Sequence, residues 1–71
     1  MRDAANFLIV NGNRHPHETG MTVASLLAAV HNGSGRVVVE VNGVIVAAER
    51  YGETPLNAGD SVEIVHFVGG G

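Results

Sequence analysis

Ser61-Val62-Glu63-Ile64-Val65-His66-Phe67 runs without a linker into Val68-Gly69-Gly70-Gly71. The first seven residues read as a strand. In a strand, successive side chains point to opposite faces, so Val62, Ile64 and His66 share one side while Ser61, Glu63, Val65 and Phe67 share the other. The run is nearly continuously apolar, as expected of a strand in the middle of a sheet and buried on both faces. The glycines after it lack Cβ atoms and can be drawn out through a channel too narrow for other residues. Three extended residues reach roughly 10 Å at about 3.3 Å each.

Upstream, Gly59-Asp60 is the turn into that strand, and Glu49 to Ala58 is a turn-rich crossover containing Thr54-Pro55-Leu56. Asn42-Gly43 separates Arg36–Val41 from Val44–Ala47. Asn-Gly between apolar runs predicts a two-residue hairpin, because both residues accept positive φ. Val37, Val39 and Val41 fall on one face of the first strand, Val38 and Glu40 on the other. Before it, Asn32-Gly33-Ser34-Gly35 ends a helix over Val23–Val30, with Gly33 at C′ and Thr22 as N-cap. Val23, Leu26, Leu27 and Val30 are spaced to form one apolar helix face. A second Asn-Gly pair, Asn11-Gly12, follows Phe7–Val10 and leads to a strand that begins near Arg14 and ends before Thr19-Gly20. Pro16 cannot donate to a ladder, so that strand belongs at an edge. Residues 1–5 read as a frayed leader.

Hairpin, helix, hairpin, crossover and final strand is the order of an α+β, β-grasp (ubiquitin-like) fold. The expected form is a mixed sheet of four to five strands with one main helix across one face, the first and last strands parallel and central. One domain over residues 1–68 is expected, with 69–71 as a flexible glycine tail.

Composition narrows the function. Seventy-one residues leave a small core, built mostly from Val, Leu and Ile because Phe7, Tyr51 and Phe67 are the aromatics. The absence of cysteine removes disulfides, thiolate metal sites and thiol nucleophiles, and fits a reducing compartment. Net charge is −3 and the basic residues are four, too few to neutralise a nucleic-acid backbone. No apolar run approaches the roughly 20 residues of a membrane span, and residues 1–6 are too short and polar for a signal peptide. A small cytoplasmic protein is the expectation.

The tail and the last strand supply the candidate site. Read as the chain terminus, Gly71 presents its α-carboxylate on a stalk without side chains, suited to modification inside another protein's active site. A disordered end without function is the plain alternative. If Val62 and Ile64 face the helix, Val65 and Phe67 form an apolar patch beside the tail, either a docking surface or a patch covered by a loop or the leader. His15 and His17 would share a strand face, but two ligands without a third make a weak metal site, and none is expected. His66 reads as strand surface near the tail, with proton transfer as a lesser reading. Glu40, Glu49, Glu53, Asp60 and Glu63 either solvate a face or steer a basic partner. Gly33-Ser34-Gly35 lacks the lysine and spacing of a phosphate-binding loop, so no nucleotide site is expected on this chain.

The residues Asn42-Gly43-Val44-Ile45-Val46, Glu49-Arg50-Tyr51, Thr54-Pro55-Leu56 and the block from Ala58 to Gly71 resemble the ThiS-type sulfur carrier proteins of thiamine biosynthesis. Val10-Asn11-Gly12 and Thr22-Val23-Ala24-Ser25-Leu26-Leu27 are similar to that family as well. Ala47 stands where a proline is common and Tyr51 where a tryptophan is common. The resemblance implies a protein co-substrate rather than an enzyme. Gly71 would be adenylated by an adenylyltransferase of the ubiquitin-activating type, which uses ATP, and then converted to a thiocarboxylate by a sulfur-donor system. Thiazole synthase would receive the sulfur. Val65, Phe67, Val68, Gly69 and Gly70 would meet the partners. The small subunit of molybdopterin synthase, a ubiquitin-like modifier and a non-covalent interaction module remain open alternatives.

Overall fold

The computed structural model describes residues 6–31 and 36–67. Strand β1 (Phe7–Val10) turns into β2 (Asn13–Pro16), helix α1 (Val23–Val30) follows, and β3 (Arg36–Val41) turns into β4 (Val44–Val46). A 3-10 helix (Ala48–Glu53) precedes the final strand β5 (Ser61–Phe67). Both hairpins close as their sequences require. Asn11 and Gly12 have φ of 50° and 85°, and Asn42 and Gly43 have 52° and 85°. Positive φ at both central residues matches the right-handed twist of the flanking strands.

Helix α1 starts at a reciprocal cap. The Ser25 amide donates to Thr22 Oγ1 at 3.2 Å, and the Thr22 amide donates to Ser25 Oγ at 2.9 Å. Two of the amides that a helix start leaves without intrahelical partners are satisfied this way. The helix stops at His31, whose amide donates to the Leu27 carbonyl at 2.8 Å. The expected stop around Gly33 lies outside the described residues.

The strand order is β2-β1-β5-β3-β4. β5 lies in the centre, parallel to β1 and antiparallel to β3, and β2 is an edge strand ending at Pro16. This is the β-grasp arrangement. One helix covers one face, and Leu8, Val23, Leu26, Val39, Leu56, Val62 and Ile64 form the core between them. Each fully buried aliphatic side chain contributes about 1.5–3 kcal/mol against leaving it in water.

Three local expectations change. The crossover is not irregular throughout, because Ala48–Glu53 winds into a 3-10 helix. Its far end is stitched to the start of α1: the Val23 amide donates to the Thr54 carbonyl and the Leu56 amide to the Met21 carbonyl. Those bonds deliver Leu56 into the core. Val30 stands at the end of the apolar helix stripe yet is 40% exposed, having run past the sheet's buried rows. Finally, β5 is buried on one face instead of two. Val62 and Ile64 are buried, whereas Ser61, Glu63, Val65 and Phe67 are exposed. A single helix can cover only one face.

The two hairpin asparagines hold β5 from either side. β1 ends at Val10, opposite Val62, while β5 continues to Phe67. Asn11 fills the missing strand position: its Oδ1 accepts from the Ile64 amide at 2.7 Å and its Nδ2 donates to the Ile64 carbonyl at 3.2 Å. On the β3 side, Asn42 Oδ1 accepts from the Ser61 amide at 3.0 Å, and its Nδ2 donates to Asp60 at 3.1 Å. Substitution Asn11→Ala is expected to cost about 2–4 kcal/mol of unfolding free energy, combining positive-φ strain with unmet hydrogen bonds. Asn11→Gly removes the carboxamide without the strain and is expected to cost less. Urea denaturation of both variants measures the difference.

Candidate functional site

The sheet face opposite α1 is read row by row from the strand register. Glu63 on β5 lies opposite Glu40 on β3, which lies opposite Ile45 on β4. The next row is Val65 with Val38, and the last is Phe67 with Arg36. Val65 is 48% exposed, Phe67 56% and Ile45 65%. Exposed large apolar side chains grouped on one face mark a contact surface more than scattered ones do. A pocket of about 240 Å³ lies among Arg36, Val37, Val38 and Phe67, at the end of β5 that leads in sequence to Val68. On the other side of β5, the Arg14 guanidinium sits over the Phe7 ring at 4.6 Å, a favourable cation–π placement.

Of the sequence-derived site residues, Val65 and Phe67 are therefore side by side on the open face. Val68, Gly69, Gly70 and Gly71 lie outside the described residues, as does the leader over residues 1–5.

The histidines are arranged differently from the strand-face reading. β2 ends at Pro16, so His17 leaves the strand. His17 Nε2 donates to the Leu56 carbonyl at 2.7 Å, a part-buried bond that ties the β2 exit to the crossover. His15 Nδ1 donates to the Pro16 carbonyl at 2.9 Å. The two rings are thus committed to separate carbonyls. Among the described residues, no three His, Cys, Asp or Glu side chains are grouped to hold a metal ion. His66 lies on the helix side of β5 and packs against His31, with ring centroids 4.6 Å apart and planes tilted by 53°. That contact joins the helix terminus to the last strand across the fold, and nothing in the local sequence announces it.

Among the described residues, no helix is long and apolar enough to cross a membrane.

A five-stranded mixed sheet in this order with a helix across one face defines the β-grasp, ubiquitin-like class of fold. Residues 7–71 match the ThiS family, and the chain belongs to it. It is 48% identical over 54 residues to the sulfur carrier protein ThiS of Bacillus subtilis, covering 76% of this chain and 80% of that one. It is 41% identical over 64 residues to a thiazole synthase of Paramagnetospirillum magneticum. That match takes in 90% of this chain and spans only 20% of the length of that relative. The crystal structure of thiamine biosynthesis protein ThiS from Geobacter metallireducens superposes with a TM-score of 0.75 at 34% identity, over 92% of this chain and 99% of that one.

Because Phe67 is largely solvent-facing and off the core, Phe67→Ser should leave stability within about 0.5 kcal/mol of the parent. A loss above about 2 kcal/mol in urea unfolding would place Phe67 in the core instead.

Proposed function

We propose that this chain is a sulfur carrier of thiamine biosynthesis that is chemically modified at Gly71. The family match through residue 71 is the observation that carries this reading. It is supported by the sulfur carrier protein ThiS of Bacillus subtilis and the thiamine biosynthesis protein ThiS of Geobacter metallireducens, which align with this chain over most of their length. The relative named thiazole synthase supports the thiazole branch over a molybdopterin role.

In this reading the reacting group is the α-carboxylate of Gly71, the last residue of the family match. An α-carboxyl group has a pKa of about 3.3–3.7, so at neutral pH it is an anion able to attack phosphorus. A partner adenylyltransferase of the ubiquitin-activating type binds ATP. A Gly71 carboxylate oxygen bonds to the α-phosphorus and pyrophosphate leaves. Hydrosulfide released by a donor system then bonds to the carbonyl carbon as AMP leaves, giving a thiocarboxylate. Thiazole synthase takes the sulfur. This chain is the co-substrate, and the nucleotide belongs to the partner. Gly69 and Gly70 keep the approach slim, and Val65, Phe67 and Val68 give partners a place to hold.

The test is intact-mass analysis after incubation with the adenylyltransferase, ATP and a sulfur donor. Replacement of one oxygen by sulfur at Gly71 is the expected product. A chain extended by one residue after Gly71 should fold as before and show no such product. If the extended chain is modified equally well, the carboxyl group of Gly71 is not the reacting one. Phe67→Asp should weaken complexes with both the adenylyltransferase and thiazole synthase, as read by calorimetry.

A further inference from the structure

The open face carries a feature that its apolar side chains do not explain. Glu40 and Glu63 are direct cross-strand partners in the β3–β5 ladder, so their Cβ atoms are about 4.5–5.5 Å apart on the same face. Like charges directly opposite each other oppose the pairing. Among the described residues, no cation relieves them. Arg36 lies four residues up β3 from Glu40, about 13 Å along the strand. Arg14 is over Phe7 on the far side of β1, and Arg50 faces Glu53 at 3.6 Å on the 3-10 helix. The pair is framed by apolar side chains, with Ile45 in its own row and Val38 and Val65 in the next.

That framing constrains what can cover the face. A partner that buries Ile45, Val65 and Phe67 must also take the two carboxylates between them out of water. Buried charge without a counter-charge is strongly disfavoured. A wholly apolar or acidic surface is thereby rejected, and a surface presenting one cation among apolar groups is selected. We propose that the open face docks on thiazole synthase through a cationic side chain, of the arginine type, seated between Glu40 and Glu63 and ringed by apolar contacts. An arginine suits the position because its planar guanidinium can donate to two carboxylates at once. The chain's net charge of −3 adds long-range attraction to such a surface. The proposal rests on the carrier reading above and adds the chemistry of the partner surface.

The experiment is calorimetric titration of the full chain into the thiazole synthase of the same organism at two salt concentrations. The chains compared are the parent, Glu40→Gln, Glu63→Gln, the double variant and Phe67→Asp, with the exposed Glu49→Gln as control. The double variant should bind at least tenfold more weakly and with a flatter salt dependence. Its own melting temperature should not fall, because the repulsion in the free chain is relieved. Glu49→Gln should bind like the parent. Unchanged affinity in the double variant, with weakened binding by Phe67→Asp, would overturn the cation site while leaving the carrier reading intact. If the parent fails to bind the synthase, both fall together. Sedimentation of the chain alone supplies a separate arm: a dimer that dissociates on Glu40→Gln/Glu63→Gln would make the face a self-interface and overturn the proposal.

Discussion

The placement of β5 between β1 and β3 governs this molecule. It is the element that pairs with both halves of the sheet, and its two buried residues, Val62 and Ile64, lie in the middle of the core. Its pairing with β1 is parallel and short, covering Ile9–Val10 against Ser61–Val62. A parallel pair cannot be closed by a two-residue turn and depends on the long excursion between the strands being held in place. The Asn11 carboxamide, bonded to both the amide and the carbonyl of Ile64, extends that pairing beyond the end of β1. Asn42 provides the matching anchor at the start of β5.

From that placement the functional layout follows. Because β5 is central, its exposed side chains lie in the middle of the open face and not at a rim. Its C-terminal end pairs, among the described residues, only with β3, through Val65 with Val38 and Phe67 with Arg36, and Phe67 lines a pocket there. Among the described residues, α1 packs on one face of the sheet and the other face is left exposed. Under the carrier reading proposed above, it would supply a contact surface on the strand that leads in sequence to the glycines.

Much of this was legible in the residues. Two Asn-Gly pairs announced two hairpins, and the spacing of Val23, Leu26 and Leu27 after Thr22 announced the helix. Pro16 announced an edge. Alternation in β5 correctly separated Val62 and Ile64 from Val65 and Phe67. What escaped were effects of distance along the chain. The continuous apolar character of β5 suggested burial on both faces, yet its outer residues are exposed. Spacing alone places His17 with His15 on one strand face, whereas its partner is the carbonyl of Leu56, 39 residues away.

The order of elements, the turn positions and the alternation of side chains were set by local rules: positive φ at Asn-Gly, capping at Thr22, and the period of two along a strand. The family resemblance was legible in the same way, as contiguous residues. Only the tertiary structure decided which face of β5 is left open, that Asn11 completes the ladder at Ile64, and that Glu40 and Glu63 stand opposite one another. Those outcomes depend on cross-strand register. Register is fixed when the whole core closes around Leu8, Leu26, Val39 and Val62, because a slip by one residue would turn every buried side chain outward.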